Sequence, residues 1–356
     1  MKQLNRIVLV NWYVLGAVEV PIKGNVAIVG PNGSGKSSIV EALHYACYLR
    51  SFRAGQTRDI AHKDGDGTFF VKLQGEQNDG EPFSIQIGFS EKTKRVKVND
   101  KTVHTYKEVM SRYRVVTVAE HDLALIQAGP EHRRAFINHF CLLDNPSCAE
   151  LLRQHKQNVQ QRNGLILHGG QGEQMRVWTE QLWQIAEQIT VQRVAALKEI
   201  QKRVNELYES VHDGAPRIGL SYNRKHRKAD ESFDDFWQRY ESVLASELNM
   251  KRTLFGAHLD DITITLDGRS TRSFASRGQQ KLVLVLLKLA QVSVLQEHAP
   301  NSGLLLVLDD LITDFDATVL ERVLTLLNTL SCAVVITCPL DNMVKLPNPV
   351  QKIALN

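Results

Sequence analysis

Residues 30–38 read Gly-Pro-Asn-Gly-Ser-Gly-Lys-Ser-Ser. This is the Walker A spacing G-x-x-x-x-G-K-[ST], and its chemistry is phosphate binding. Gly30, Gly33 and Gly35 let backbone N–H groups converge on phosphate oxygens, and a helix start favours negative charge there. Pro31, Asn32, Ser34 and Ser38 complete the loop. Lys36 is placed to reach the β and γ phosphates, and the Ser37 hydroxyl to hold Mg²⁺. A second set closes the apolar run 303–308 with Asp309-Asp310. Two aspartates ending a buried strand form a Walker B element. Asp309 is expected to hold Mg²⁺, usually through water, and Asp310 to orient or deprotonate the attacking water. The third set is Ser276-Arg277-Gly278-Gln279, at the start of an apolar helical stretch. A serine hydroxyl and a glycine N–H at a helix start make an anion site. The Walker A loop already brings one helix start to the phosphates, so this second one is spare within a single copy. It makes sense capping the γ-phosphate held by another copy, which predicts two nucleotides sandwiched in a homodimer. A simple N-cap role for Ser276 is compatible with that.

The phosphate loop needs a strand before it and a helix after it, and both are present: an apolar run at 26–29 and a helical pattern from Lys36 to about Leu49. Short strands are expected at 7–13 and 16–22, with further strands at 68–74, 83–89, 94–98, 101–103 and 113–119. Lys92, Lys94, Arg95, Lys97 and Lys101 make the hairpin in this region basic. From Pro130 the period becomes helical. A helix over 131–143 and another from Pro146 lead to the glycines at 169, 170 and 172, and an amphipathic stripe then runs from Trp178 to Leu207. That length gives a compact helical lobe rather than a long coiled-coil arm. A strand at 217–222, a helix at 232–250 and strands at 261–266 and 333–337 follow. Arg224, Lys225, His226, Arg227 and Lys228 form the densest basic cluster. Such a cluster can neutralise phosphates without reading bases, or face solvent as a loop.

The 356 residues carry 43 lysines and arginines against 39 acids, a net charge of +4, which is compatible with nucleic acid without demanding it. Five cysteines without C-x-x-C spacing indicate neither a disulfide framework nor a zinc site, so a cytoplasmic, reducing compartment is the simpler reading. No signal-peptide pattern and no apolar run near the ~20 residues of a membrane span is evident, so no membrane partner is expected.

Together, Gly-Pro-Asn-Gly-Ser-Gly-Lys-Ser, Ser-Arg-Gly-Gln and Leu-Asp-Asp resemble the ABC-type heads of SMC and recombination-repair ATPases. Arg50-Ser51-Phe52-Arg53, Gly129-Pro130-x-x-Arg133-Arg134-x-Phe136 and Ser276-Arg277-Gly278-Gln279-Gln280-Lys281 narrow this. Over nearly the whole chain the sequence is similar to the RecF family of bacterial recombination-mediator ATPases. The resemblance implies an α/β fold: an ABC-ATPase (P-loop NTPase, SMC/RecF-like) head in residues 1–128 and 251–356, with an inserted α-helical lobe in 129–250. It implies ATP and Mg²⁺ as cofactors, slow DNA-stimulated hydrolysis, ATP-dependent dimerisation on DNA at single-strand gaps and junctions, work with RecR and RecO to place RecA, and a cytoplasmic, nucleoid-associated location. By carry-over Ser276 is the signature serine, Asp316 the D-loop aspartate and Glu120 a γ-phosphate sensor. Arg50 and Arg53 match the family's Ser-Phe-Arg stretch, and Thr337 stands where many ABC proteins have a switch histidine. A RecF-like ATPase of a defence or chromosome-maintenance system is the alternative, with an ABC transporter subunit behind it.

Overall fold

The computed structural model describes residues 3–62, 65–77, 79–103, 108–109, 113–170, 172–212, 217–300, 303–310, 315–339 and 350–355. Asp314, just after the aspartate pair, lies outside them. In chain order the strands and helices are β1 (Gln3–Trp12), β2 (Leu15–Pro21), β3 (Asn25–Val29), α1 (Lys36–Tyr48), β4 (Phe69–Glu76), β5 (Pro82–Ser90), β6 (Thr93–Val98), β7 (Lys101–Thr102) and β8 (Arg114–Val118). Next come α2 (Pro130–Asp144), α3 (Cys148–Leu167), α4 (Glu173–Val211), β9 (Ile218–Asn223), α5 (Phe233–Gln238), α6 (Tyr240–Met250), β10 (Asp261–Leu266) and β11 (Arg269–Ser270). The chain ends with α7 (Arg277–His298), β12 (Leu304–Asp309), α8 (Ala317–Thr329), β13 (Ala333–Cys338) and β14 (Val350–Ala354).

The chain forms two compact units. Unit 1 comprises Met1–Leu123, Glu206–Ala215 and Lys281–Asn356; unit 2 comprises Ala124–Asn205 and Pro216–Gln280. The first break falls between Leu123 and Ala124. Residues 251–280, assigned from sequence to the head, group instead with the helical unit. The cause is strand pairing: β10 pairs antiparallel with β9 along its whole length, from Asp261 opposite Asn223 to Leu266 opposite Ile218.

Unit 1 holds two sheets. One is antiparallel, in the order β2-β1-β4-β5-β6-β7, and the other is five-stranded, β14-β3-β13-β12-β8. Every pairing in the second is parallel. Its central strands are mostly apolar, as strands covered on both faces must be: Leu304 to Leu308 and Val334 to Cys338 are all buried, with Thr337 the polar residue among them. Helix α1 touches strands of both sheets. That explains why it is buried on nearly all sides, Ile39, Val40, Ala42 and Leu43 each fully so. In a parallel sheet the C-terminal ends of the strands share one edge, where ligand sites of open α/β sheets lie. The Walker A loop follows β3 and the aspartate pair ends β12, with β13 between them.

Unit 2 is mainly helical around the small sheet β11-β10-β9. Leu182, Phe236, Tyr240, Val243 and Phe255 form one core cluster, and Ala186, Ile189 and Ala257 another. The helix read over 232–250 is two helices, α5 and α6, meeting at Arg239. Among the described residues, α8, β11, β14 and the one-turn helices Ala124–Gln127 and Thr271–Phe274 are elements not read from the sequence. Helix α7 is long and apolar enough to cross a membrane, but 83% of its apolar window is buried within the protein, as in the core helix of a globular fold.

Candidate active site

Unit 1 brings the Walker A and Walker B residues together. Gly33 and Gly35 have φ of +87° and +96°, the left-handed region where glycine carries no Cβ penalty. A Cβ on Gly30 would stand 2.6 Å from Ser34 Oγ and 2.7 Å from the Leu355 carbonyl oxygen, so that position tolerates no side chain either. Gly35 is the N-cap of α1, with no side-chain cap and no acid in the first turn, which leaves the helix start to an anionic ligand. Lys36 is 4% exposed. Its ammonium donates to the carbonyls of Gly30, at 2.8 Å, and Pro31, at 3.0 Å, so the cation lies back across its own loop. Ser34 Oγ is buried with no hydrogen-bond partner. An orphaned hydroxyl beside a buried ammonium, in a loop of left-handed glycines, fits a phosphate group.

Ser37 Oγ donates to Asp309 Oδ1 at 3.1 Å, tying the loop to the end of β12. Burial lifts the Asp309 carboxyl above the ordinary aspartate range, and hydrogen bonds from Thr337 and Ser37 pull the other way. A carboxylate whose charge is costly for want of solvent gains from a divalent cation, so Ser37 and Asp309 fit a hard metal such as Mg²⁺. Thr337, fully buried at the end of β13, links the two aspartates. Its hydroxyl lies 2.8 Å from Asp309 Oδ1 and 3.3 Å from Asp310 Oδ1, and it accepts from the Asp310 N–H at 3.0 Å. Asp310 has φ +51°, a conformation uncommon for a residue with a side chain. Thr337 is therefore a buried hydroxyl that bridges the acidic pair.

Glu120 is exposed and opens the short 3₁₀ turn Glu120–Leu123 after β8. That turn is pinned from below: Asp122 accepts from the Ala119 N–H at 2.9 Å and from the buried Lys288 ammonium at 3.1 Å. Next to Glu120, the His121 ring stacks on Phe52 at 4.6 Å, so the Glu120 turn and residues 50–53 meet. Asp316 caps α8, its Oδ1 accepting from the Val319 N–H at 2.9 Å.

In unit 2, Ser276, Arg277, Gly278 and Gln279 are all exposed. Ser276 and Gln279 form a reciprocal capping box: the Ser276 N–H donates to Gln279 Oε1 at 2.9 Å and the Gln279 N–H to Ser276 Oγ at 3.2 Å. Beneath them the buried Gln280 amide donates to the carbonyls of Thr271, Arg272 and Ala275 and accepts from Gln127, fixing the turn that presents the serine. The adjacent Phe274 is 69% exposed, an open apolar ring beside the exposed capping box.

The basic cluster at 224–228 is largely committed within unit 2. Arg227 is buried and paired with Asp260 and Glu187, and Arg224 also pairs with Glu187, at 2.9 Å. Lys225 and Lys228 remain exposed, as do Lys92, Arg95, Lys97 and Lys101 at the β6–β7 edge of unit 1. Sequence reasoning passed over Glu41, a fully buried acid on α1 that accepts from Tyr13 and Ser51. The available signal was a lone acid inside an otherwise apolar helical face.

The RecF/RecN/SMC N terminal domain family matches residues 3–355. A DNA replication and repair protein RecF from Chlorobaculum parvum is 30% identical over 307 residues, covering 82% of each chain. Its counterpart from Chlorobium phaeobacteroides is 28% identical over 315 residues, 85% of this chain and 86% of that one. Among solved structures, the recombination mediator protein RecF with ATP superposes with a TM-score of 0.85 at 21% identity, covering 97% of this chain and 94% of that one. An Smc head domain from Pyrococcus furiosus gives 0.57 at 17% identity, covering 100% and 94%. The fold is therefore that of an ABC-type P-loop ATPase head, and the chain belongs to the RecF family of DNA replication and repair ATPases.

Proposed function

We propose that this chain is an ATP-dependent DNA-binding protein of recombinational repair and replication restart. Its product is an ATP-bound dimer on DNA rather than rapid turnover. The observation that carries the reading is the joined Walker site: Lys36 buried against its loop, Ser34 Oγ without a partner, and Ser37 hydrogen-bonded to a buried Asp309. Residues 30–38 hold the triphosphate, with Lys36 facing the β and γ phosphates. Ser37 and Asp309 hold Mg²⁺, which when bound offsets phosphate charge. Asp310, oriented by Thr337, accepts the proton of the attacking water, and Glu120 senses the γ-phosphate. Ser276, Arg277, Gly278 and Gln279 of one copy cap the nucleotide of a second, and Asp316 also contributes to nucleotide binding. The exposure of the capping box and of Phe274 supports a docking role for this turn.

DNA phosphates meet Lys92, Arg95, Lys97 and Lys101 rather than the 224–228 cluster, whose arginines are spent on ion pairs. Single-strand gaps and junctions are the preferred substrates, RecR and RecO the partners, and RecA placement the outcome, in the cytoplasm at the nucleoid. The test is DNA binding with and without ATP on gapped, single-stranded and duplex DNA across a salt series. Affinity should rise with ATP, and on duplex DNA each β6–β7 lysine that touches a phosphate should, when removed, lower the log K against log salt slope by about 0.9. ATP-independent binding with an unchanged slope after all four are neutralised would overturn it.

A further inference from the structure

Glu41 lies one turn beyond Ser37 on α1 and is 0% exposed. Its Oε1 accepts from the Tyr13 hydroxyl at 2.8 Å and from Ser51 Oγ. Ser51 Oγ in turn accepts from the N–H groups of Arg53, at 2.9 Å, and Ala54, at 2.6 Å, closing a tight turn over residues 51–54. The other carboxylate oxygen, Oε2, is buried without a hydrogen bond. The cation facing it is Arg53, whose Nε stands 3.6 Å away. The Arg53 guanidinium also lies over the Tyr13 ring, 5.4 Å from its centroid, and its side chain is 47% exposed.

These contacts join α1 to the segment before the phosphate loop and to the loop that follows the helix. Tyr13 follows β1, in a left-handed backbone conformation at φ +52°. Glu41 belongs to the helix that carries Lys36 and Ser37, and Ser51 and Arg53 belong to the loop after it. A buried carboxylate with one oxygen unsatisfied is costly, and the field of a nearby cation is what offsets that cost. Shape alone would be served by an apolar side chain, so a charge kept here points to a charged task.

We propose that Glu41 is a positioning residue. Its buried carboxylate ties the 51–54 turn to α1 through Ser51 and holds the Arg53 guanidinium beside the phosphate loop, so that Arg53 faces the nucleotide from a fixed place. This rests on the reading of residues 30–38 and Asp309 as an ATP site. Arg53 approaches from the loop after α1 and supplements Lys36, whose ammonium is partly engaged by loop carbonyls. In this role Glu41 acts through Arg53.

A double-mutant cycle separates this from a packing role. Glu41→Gln keeps the size of the side chain and an oxygen that accepts from Tyr13 and Ser51, but removes the charge. Ser51→Ala releases the same turn and leaves the charge in place. Each is combined with Arg53→Ala, and mant-ATP affinity, steady-state kcat and KM, and thermal stability are measured on the full chain. Glu41→Gln and Ser51→Ala should each lower kcat/KM for ATP about tenfold and weaken mant-ATP binding, and both losses should vanish in the Arg53→Ala background. Equal losses with and without Arg53, or no loss from either variant, would overturn the proposal. Should Glu41→Gln not fold, the Ser51→Ala cycle decides by the same criterion. Lys36→Met serves as the control for the underlying reading: mant-ATP binding unaffected by Lys36→Met would remove the ATP site itself, whereas additive losses beside an impaired Lys36→Met remove only the role of Glu41.

Discussion

Arg162 in unit 2 and Lys36 in unit 1 are both buried cations, but their surroundings differ. The Arg162 guanidinium donates to both Glu247 carboxylate oxygens, at 2.9 and 2.5 Å, to Thr253 at 3.0 Å, to Thr179 at 3.2 Å and to Tyr240. It also lies over the Phe255 ring, 4.7 Å from its centroid. Lys36 has two carbonyls of its own loop, and beside it a serine hydroxyl stands without a partner. One cation is consumed by the fold, while the other keeps its charge for something the chain does not itself supply. In this pair, the buried charge with a full set of partners belongs to the architecture, and the one beside an orphaned hydroxyl belongs to a site.

The largest effect that would break this comparison is on stability. Glu247→Leu strands the Arg162 charge and should cost about 3–5 kcal/mol in chemical denaturation, while adding Arg162→Met should recover much of it. A loss below about 1 kcal/mol from the single change would show that Arg162 is not consumed by the fold. Lys36→Met should do the opposite, with little change in melting temperature but ATP affinity falling about a hundredfold, some 2.7 kcal/mol, by fluorescence titration. A destabilised protein with normal affinity would reverse the assignment. Asp310→Asn sharpens the unit 1 side further: nucleotide binding should persist while hydrolysis slows at least tenfold, because an amide accepts no proton. Wild-type hydrolysis by this variant would place water activation elsewhere.

The remaining test of unit 2 varies pH. Burial, with neighbouring charges, depresses His155 to about 3 and His258 to about 4. Both folded-state values lie below the unfolded value near 6.5, so the unfolded chain takes up protons first as pH falls. Stability from this pair is therefore whole above about pH 6.5 and is lost toward pH 4, by up to about 1.4 kcal/mol per pH unit for each histidine. Thermal melts between pH 4.5 and 7.5 should show that slope, and His258→Gln should flatten it. A profile unaltered by the substitution would mean that His258 titrates normally.

The phosphate loop was legible because its requirements are local: glycines at fixed spacing, a strand before and a helix after. Asp309 and Asp310 were legible because an apolar run ends on them. Helix α8 was missed because Asp316, read only as a nucleotide-side residue, is also its N-cap. Strand β14 was missed because Val350 to Ala354 shows no buried residue and owes its place to parallel pairing with β3. The 224–228 cluster looked solvated because the acids that hold Arg227, Glu187 and Asp260, stand 40 and 33 residues away. Glu41 stayed hidden because its partners, Tyr13 before α1 and Ser51 and Arg53 after it, meet the helix only in the folded chain. What the chain determines over a few residues can be read directly, and what it determines by long-range charge pairing needs the fold.

The central claim is that ATP joins two copies through the exposed turn at Ser276. Light scattering of the full chain with ATP and Mg²⁺ tests it most directly. Wild type should shift from monomer to dimer mass when ATP is added. Ser276→Arg should bind mant-ATP with unchanged affinity yet stay monomeric, because the bulky cation fills the space meant for the partner's nucleotide. A Ser276→Arg protein that dimerises normally with ATP would contradict the account and leave the turn as a capping box alone.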